Sequence, residues 1–206
     1  MNLAVGKLLA QELRLYVNPV LIREDNVTVE LQQRAQMANN MGADLFVSIH
    51  CNSSNNASAR GMEVYVHPNA SQAAVNLANI IYSRLETIGV PGRGVKRANF
   101  CVLRETSMPA VLIELAFISN PTEEKLLGSS EFQKKCAQAI ADGILNYLGI
   151  ERKKIVEISF ADILFNGQLL DERAVLLYGK SYLPTRKIAG LCGLKVDWDG
   201  RVILSQ

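Results

Sequence analysis

The chain has 206 residues, of which 49% are hydrophobic and 20% charged, and its formal net charge is +2. That length allows one or two domains of ordinary globular make-up, with enough apolar residues for a core. A charge so close to neutral, with no Lys/Arg block interleaved with aromatics, argues against a nucleic-acid partner.

Val5, Leu8, Leu9, Leu13 and Tyr16 make a helical stripe over residues 3–16 with no cap or loop before it, so the chain is expected to begin inside a helix. Residues 19–22 read as a short strand leading to Arg23, Glu24, Asp25 and Asn26. Thr28 is the expected cap of a helix that turns Leu31, Ala35 and Ala38 inward and closes at Gly42. Residues 45–52 follow as an apolar run that ends in His50, Cys51 and Asn52, before the polar loop Ser53, Ser54, Asn55, Asn56. Such a run suits a strand buried on both faces, although periodicity by itself does not separate it from a buried helical segment.

Residues 61–66 alternate, Met62, Val64 and Val66 against Glu63 and Tyr65, as in a half-buried strand. Ser71 is expected to cap a helix with the stripe Ala74, Leu77, Ala78, Ile81, Leu85 and Ile88. Residues 89–94 read as a turn-rich connection, and residues 100–103 and 110–113 as short strands, the second ending in Glu114. Asn120, Pro121, Glu123 and Glu124 form a helix start. A longer helix follows Ser129, with Phe132, Cys136, Ile140, Ile144 and Tyr147 on one face and Gly149 behind it. Strands alternating with helices predict an α/β fold, a mainly parallel twisted sheet with helices on both faces.

The texture changes at Glu151. Residues 155–165 are strand-like, Asn166-Gly167 signals a turn, residues 174–178 are apolar, 184–193 read as a short helix and 195–204 as a hairpin. A boundary near 150–154 divides the chain into a domain over 1–150 and a small α+β domain over 155–206, which is marginal for independent stability. The cluster Arg152-Lys153-Lys154 reads as a solvated linker. The four cysteines, Cys51, Cys101, Cys136 and Cys192, lack CxxC spacing and read as buried free thiols. No run of 18 apolar residues is present, and the first residues of the sequence do not read as a signal peptide.

His50 and Glu114 share a setting, each following an apolar run and preceding a loop. Two strands ending side by side would bring an imidazole and a carboxylate to one sheet edge. That pair suits metal-assisted hydrolysis, with the histidine on zinc and the carboxylate taking a proton from the attacking water. A hydrogen-bonded structural histidine and a solvated or arginine-paired glutamate are the competing readings. His67 reads as a surface residue, and HExxH, a nucleophile elbow, a P-loop and GxGxxG are all absent.

One set of motifs is more specific. It comprises Arg23 and Asp25; Leu31, Arg34 and Asn39; residues 43–52, Ala-Asp-Leu-Phe-Val-Ser-Ile-His-Cys-Asn; Gly61 and Glu63; Arg93-Gly94-Val95-Lys96; Val102-Leu103-Arg104; and Met108 to Glu114 followed by Phe117-Ile118-Ser119-Asn120. By these residues the chain, from about 2 to 148, resembles the zinc-dependent N-acetylmuramoyl-L-alanine amidases of the type-3 amidase family. The resemblance implies hydrolysis of the amide joining muramic acid to L-alanine of the peptidoglycan stem peptide, Zn2+ as cofactor, His50 as a metal ligand and Glu114 as the catalytic residue. It also implies an extracytoplasmic, cell-wall or secreted protein.

Residues 156–205 are similar to the small domain named for the copper amine oxidase N-terminus, through Asn166-Gly167, residues 179–186, Gly193 and residues 196–199. The tail has no histidine, so that likeness implies an accessory module, binding cell wall or another protein or serving structure only, and not a copper site. Members of the amidase family open with a strand ending in Asp-Pro-Gly-His-Gly, then a glutamate ligand and a helix bearing Asn-Leu. Asn2-Leu3 matches that Asn-Leu, so the expectation is an N-terminally truncated amidase that lacks its first strand and two metal ligands and binds zinc poorly. The expectations from other classes are a non-catalytic wall-binding protein and an assembly protein built around the tail.

Overall fold

Side-chain caps set most of the helix starts. The computed structural model describes residues 1–152 and the strand residues 159–165, 168–177 and 180–182, and the chain divides into two compact units, Met1–Arg152 and Lys153–Gln206. The first unit contains helices α1 (Asn2–Leu13), α2 (Leu31–Asn40), α3 (Gln72–Leu85), α4 (Cys101–Arg104), α5 (Pro121–Gly128) and α6 (Ser130–Tyr147). Its strands are β1 (Phe46–Asn52), β2 (Met62–Val66), β3 (Gly92–Arg97) and β4 (Ala110–Phe117). Ser71 Oγ accepts from the Ala74 amide before α3, Asn120 Oδ1 from the Thr122 and Glu123 amides before α5, and Ser129 Oγ from the Phe132 amide before α6. Each satisfies amides that the helix itself leaves unpaired.

Four expectations are corrected. Glu30, not Thr28, caps α2, through a reciprocal capping box with Gln33; Leu31 is then exposed, while Ala35 and Ala38 are buried. Residues 19–22 form no strand: Pro19 has no N–H to give, and Val20 is exposed. Residues 100–103 form the helical turn α4, because the adjacent Val102 and Leu103 enter one core cluster, which strand alternation would forbid. Residues 92–97 form a strand, masked in the sequence by glycines. Gly92 is needed there because a Cβ would lie 2.1 Å from the Tyr82 hydroxyl.

The sheet order is β1-β4-β2-β3, with β1 parallel to β4, β2 parallel to β3, and β2 antiparallel to β4. It is a mixed sheet flanked by helices. Alternation gives its faces different jobs. Val47, Ile49, Val111, Ile113, Leu115, Met62, Val64 and Val66 join the main core with residues of α1, α3 and α6. Phe46, Ala110 and Leu112 point the other way, into a smaller cluster with Ala38 of α2 and Val102 and Leu103 of α4. That second cover is short, so the same face beyond Leu112 is left to polar residues.

In the second unit β5 (Ser159–Phe165), β6 (Gln168–Leu177) and β7 (Lys180–Tyr182) form an antiparallel sheet in that order, with Phe165 opposite Gln168. The turn expected at 166–167, the helix at 184–193 and the hairpin at 195–204 lie outside the described residues. Among the described residues no helix is long and apolar enough to cross a membrane.

Candidate active site

The register of the sheet puts three titratable groups in one row. His50 of β1 is paired with Glu114 of β4, and Glu114 is paired on its other side with Glu63 of β2. Cross-strand partners share a face, and alternation places that face with Phe46 and Leu112, on the side covered by α2 and α4. The row lies toward the carboxyl ends of β1 and β4, past the apolar cluster, where open α/β sheets collect ligand chemistry. The sequence reading singled out His50 and Glu114; the fold makes them neighbours, although both strands run on, to Asn52 and Phe117.

The His50 ring shares a 2.8 Å hydrogen bond between its Nε2 and Ser48 Oγ. Burial, with the Arg34 charge second, lowers its pKa and favours the neutral imidazole. Arg34 is itself anchored on α2, its Nε donating to the Val29 carbonyl at 2.8 Å. Glu114 lies in an unusual state: its Oε2 is buried and, among the described residues, has no hydrogen-bond partner. Burial first, and the Glu63 charge second, push its pKa up to about 7. Buried polar atoms are rarely left unpaired, and those that are ask for a functional reason.

Glu63 is the residue whose role the sequence concealed. The alternation of residues 62–66 placed it on a polar strand face, yet it is only 2% exposed. Its Oε1 takes the Lys96 ammonium at 2.5 Å and the Arg93 guanidinium, and its Oε2 takes the Tyr65 hydroxyl and the Asn52 amide at 3.0 Å. Burial acts to raise its pKa, but the hydrogen bonds from Lys96, Tyr65 and Arg93 outweigh it and hold the carboxylate down at about 2. Two cations spaced as Arg93 and Lys96 were the available signal; what sequence lacked was the pairing of β3 beside β2.

Two further residues frame the site. Glu123, buried at the start of α5, accepts the Gly61 amide at 2.8 Å and the Phe117 amide at 2.7 Å, joining the approach to β2 to the end of β4. Arg93 stacks its guanidinium over the Phe117 ring at 5.3 Å. His67 is remote from the row, its Nδ1 accepting from the Asn69 amide and its Nε2 bonded to Asn99. Cys51, Cys101 and Cys136 are free thiols, only Cys136 fully buried. Burial raises Cys51 to about 11, and its Sγ donates to Asn2 Oδ1 at 3.0 Å, so it is a poor metal ligand or nucleophile.

A catalytic zinc site takes three protein ligands. Among the described residues no group of three or more His, Cys, Asp or Glu side chains is placed to hold a metal ion. His50 supplies one imidazole, with Nε2 already engaged by Ser48, so the described residues do not by themselves fit a complete zinc centre.

The N-acetylmuramoyl-L-alanine amidase family Amidase_3 matches residues 1–146. The chain belongs to that family. It is 40% identical over 132 residues to the N-acetylmuramoyl-L-alanine amidase LytC of Bacillus subtilis (strain 168), covering 63% of this chain and 26% of that protein. It is 39% identical over 139 residues to the endolysin of Bacillus phage SPP1, covering 65% of this chain and 51% of the endolysin. The chain thus spans about half or less of these relatives, though 72% of the Bacillus subtilis protein YqiI, to which it is 40% identical. Among solved structures, the catalytic domain of the amidase CwlV from Bacillus (Paenibacillus) polymyxa var. colistinus superposes with a TM-score of 0.69 at 39% identity, covering 72% of this chain and 83% of that domain. The N-acetylmuramoyl-L-alanine amidase of Clostridium difficile 630 gives 0.69 at 35% identity, covering 73% and 83%.

Proposed function

We propose that the chain is a peptidoglycan hydrolase that cleaves the amide between N-acetylmuramic acid and the L-alanine of the stem peptide, with Glu114 as its catalytic residue. One observation carries the reading: a buried carboxyl oxygen that has no hydrogen-bond partner among the described residues stands in register beside His50 on one sheet face. Amide hydrolysis needs a group that takes a proton from the attacking water and delivers it to the leaving amine. Glu114 is placed for both, because among the described residues nothing hydrogen-bonds its Oε2. The family match over residues 1–146 supplies the substrate class.

Zinc is the metal implied by the resemblance, and His50 is the residue of this chain proposed to bind it. Residues 1–150 are the proposed catalytic domain, and residues 155–206 the proposed accessory domain, of the copper amine oxidase N-terminal kind, for wall or protein binding. A peptidoglycan substrate supports a protein that works outside the cytoplasm, at the wall or secreted.

Release of dye from labelled cell walls tests the reaction. Release that is lost in Glu114→Gln is the expected result. Sedimentation with walls and no release would instead make the chain a wall-binding protein of amidase fold.

A further inference from the structure

The cluster around Glu63 holds more positive charge than it needs. One buried carboxylate binds two cations, Arg93 and Lys96, whose side chains remain 41% and 36% exposed. Tyr65 and Asn52, both neutral, bind the other carboxylate oxygen, so one negative charge stands against two positive ones and the cluster keeps a net positive charge.

Arg93 is held in place along its length. Its side chain lies against Gly61, where a Cβ would come within 2.9 Å of Arg93 Cγ and Cδ and 2.6 Å of the Pro91 carbonyl, at a φ of +109°. Its guanidinium covers Phe117, its Nε is spent on Glu63, and its Nη1 points at the Arg60 carbonyl at 3.4 Å. Of the five N–H donors of an arginine, those on Nη2 are unspent among the described residues. Lys96 gives one of its three donors to Glu63. An arginine so fixed on a half-exposed surface loses little freedom when it binds an anion, and the fork of its donors matches a carboxylate.

The placement is specific to the row. Both cations sit on the Glu63 carboxylate. Glu63 is opposite Glu114 on the adjacent strand, about 4.8 Å away by strand spacing, so the cations stand within roughly 10 Å of Glu114. A peptide advances at most about 3.5 Å per residue. A chain running from an amide at Glu114 therefore brings a group two residues further on within reach of Arg93 and Lys96.

We infer that Arg93 and Lys96, tethered by Glu63, form a subsite for a carboxylate carried by the residue that follows L-alanine in the stem peptide. This rests on the proposed reaction for its substrate and on the Glu63 cluster for its location. The cations bind and orient; they do not take part in the proton transfer. Lys96 and Arg93 are specificity-determining residues, and Glu63 is the positioning residue that holds them.

Calorimetric titration of the 206-residue chain carrying Glu114→Gln, which blocks turnover, tests the subsite. The two ligands are an N-acetylmuramoyl dipeptide with a free terminal carboxylate and its carboxamide analogue. The expected result is binding about tenfold tighter for the carboxylate, a preference that falls to about twofold or less when Arg93→Gln is added. Lys96→Gln, at a half-exposed position, should cut the preference in part and serves if Arg93→Gln does not fold. Equal affinity for the two ligands, binding of neither, or a preference that survives both substitutions overturns the subsite. Dye release by the parent chain judges the reaction separately: release without a carboxylate preference removes the subsite alone, and a preference without release removes the reaction alone.

Discussion

Glu63 stands directly opposite Glu114 across the antiparallel β2–β4 pairing, and the two carboxyls are driven apart in proton affinity by their surroundings. Glu63 is held at about 2 against burial by Lys96, Tyr65 and Arg93. Its folded pKa lies below its unfolded value, so its stabilising contribution is present above the unfolded pKa near 4.5 and is lost as pH falls toward 2. Allowing for solvent around the half-exposed Arg93 and Lys96, that contribution is about 2 kcal/mol. Glu63→Gln should lower stability by about that amount at pH 7 and flatten the loss between pH 4.5 and 2, as read by urea unfolding at a series of pH values. A variant as stable as the parent at pH 7 would contradict the assignment.

Glu114 presents the opposite case, a carboxyl whose buried Oε2 has no hydrogen-bond partner among the described residues. Glu114→Gln keeps the shape and removes the proton carrier, so wall hydrolysis should fall by about 10²–10⁴-fold, the span expected of a general acid–base residue. The unfolding midpoint should be unchanged or higher, because no hydrogen bond from the described residues to Oε2 is sacrificed. A matched loss of activity and stability would point to a structural role.

The contrast between these two carboxyls shows what the sequence could and could not disclose. Leu-Phe-Val-Ser-Ile before His50, and the apolar run before Glu114, announce buried strands with a polar residue near the end, and both form. Helices that start at Ser71, Asn120 and Ser129 were legible because capping is local chemistry. Glu63 was not legible, since a carboxylate in an alternating strand looks the same whether it meets water or two cations from another strand. β3 was hidden for a related reason: Gly92 and Gly94 depress its strand character, and only the fold explains them, Gly92 by the close approach of the Tyr82 hydroxyl and Gly94 by its φ of +91°. Local signals were read; long-range pairing decided the rest.

Helix packing offers a direct test of the main core. Gly143 of α6 meets Ile81 of α3 so closely that a Cβ would lie 2.8 Å from the Ile81 Cα. That neighbour is backbone and cannot rotate away. Gly143→Ala should therefore destabilise by about 1–3 kcal/mol, the range for overpacking, despite alanine's better helix propensity. Thermal unfolding followed by circular dichroism reads the outcome, and a stabilised variant would show that α3 and α6 separate easily.

Glu123 links three segments through two backbone amides, Gly61 at 2.8 Å and Phe117 at 2.7 Å. Glu123→Ala leaves both buried donors unpaired, at about 1–3 kcal/mol for each, so a loss of about 2–5 kcal/mol is expected in urea unfolding. Glu123→Gln retains one acceptor and should lose less. Because Gly61 supports Arg93 and Phe117 carries its guanidinium, the alanine variant should also lose carboxylate discrimination. Discrimination that persists after such a loss of stability would show that the Arg93 cluster does not depend on this clamp.

Metal content is the remaining discriminator. The described residues bring one imidazole and no group of three candidate ligands to the row, whereas catalytic zinc takes three protein ligands. The 206-residue chain purified without added metal should hold well under one equivalent of zinc by elemental analysis, and zinc added in a titration should bind weakly. His50→Ala should reduce that binding further without lowering stability by more than about 1 kcal/mol, since among the described residues the ring makes a single hydrogen bond, to Ser48. Stoichiometric zinc that survives His50→Ala would place the metal elsewhere in the chain and remove His50 from the proposed site.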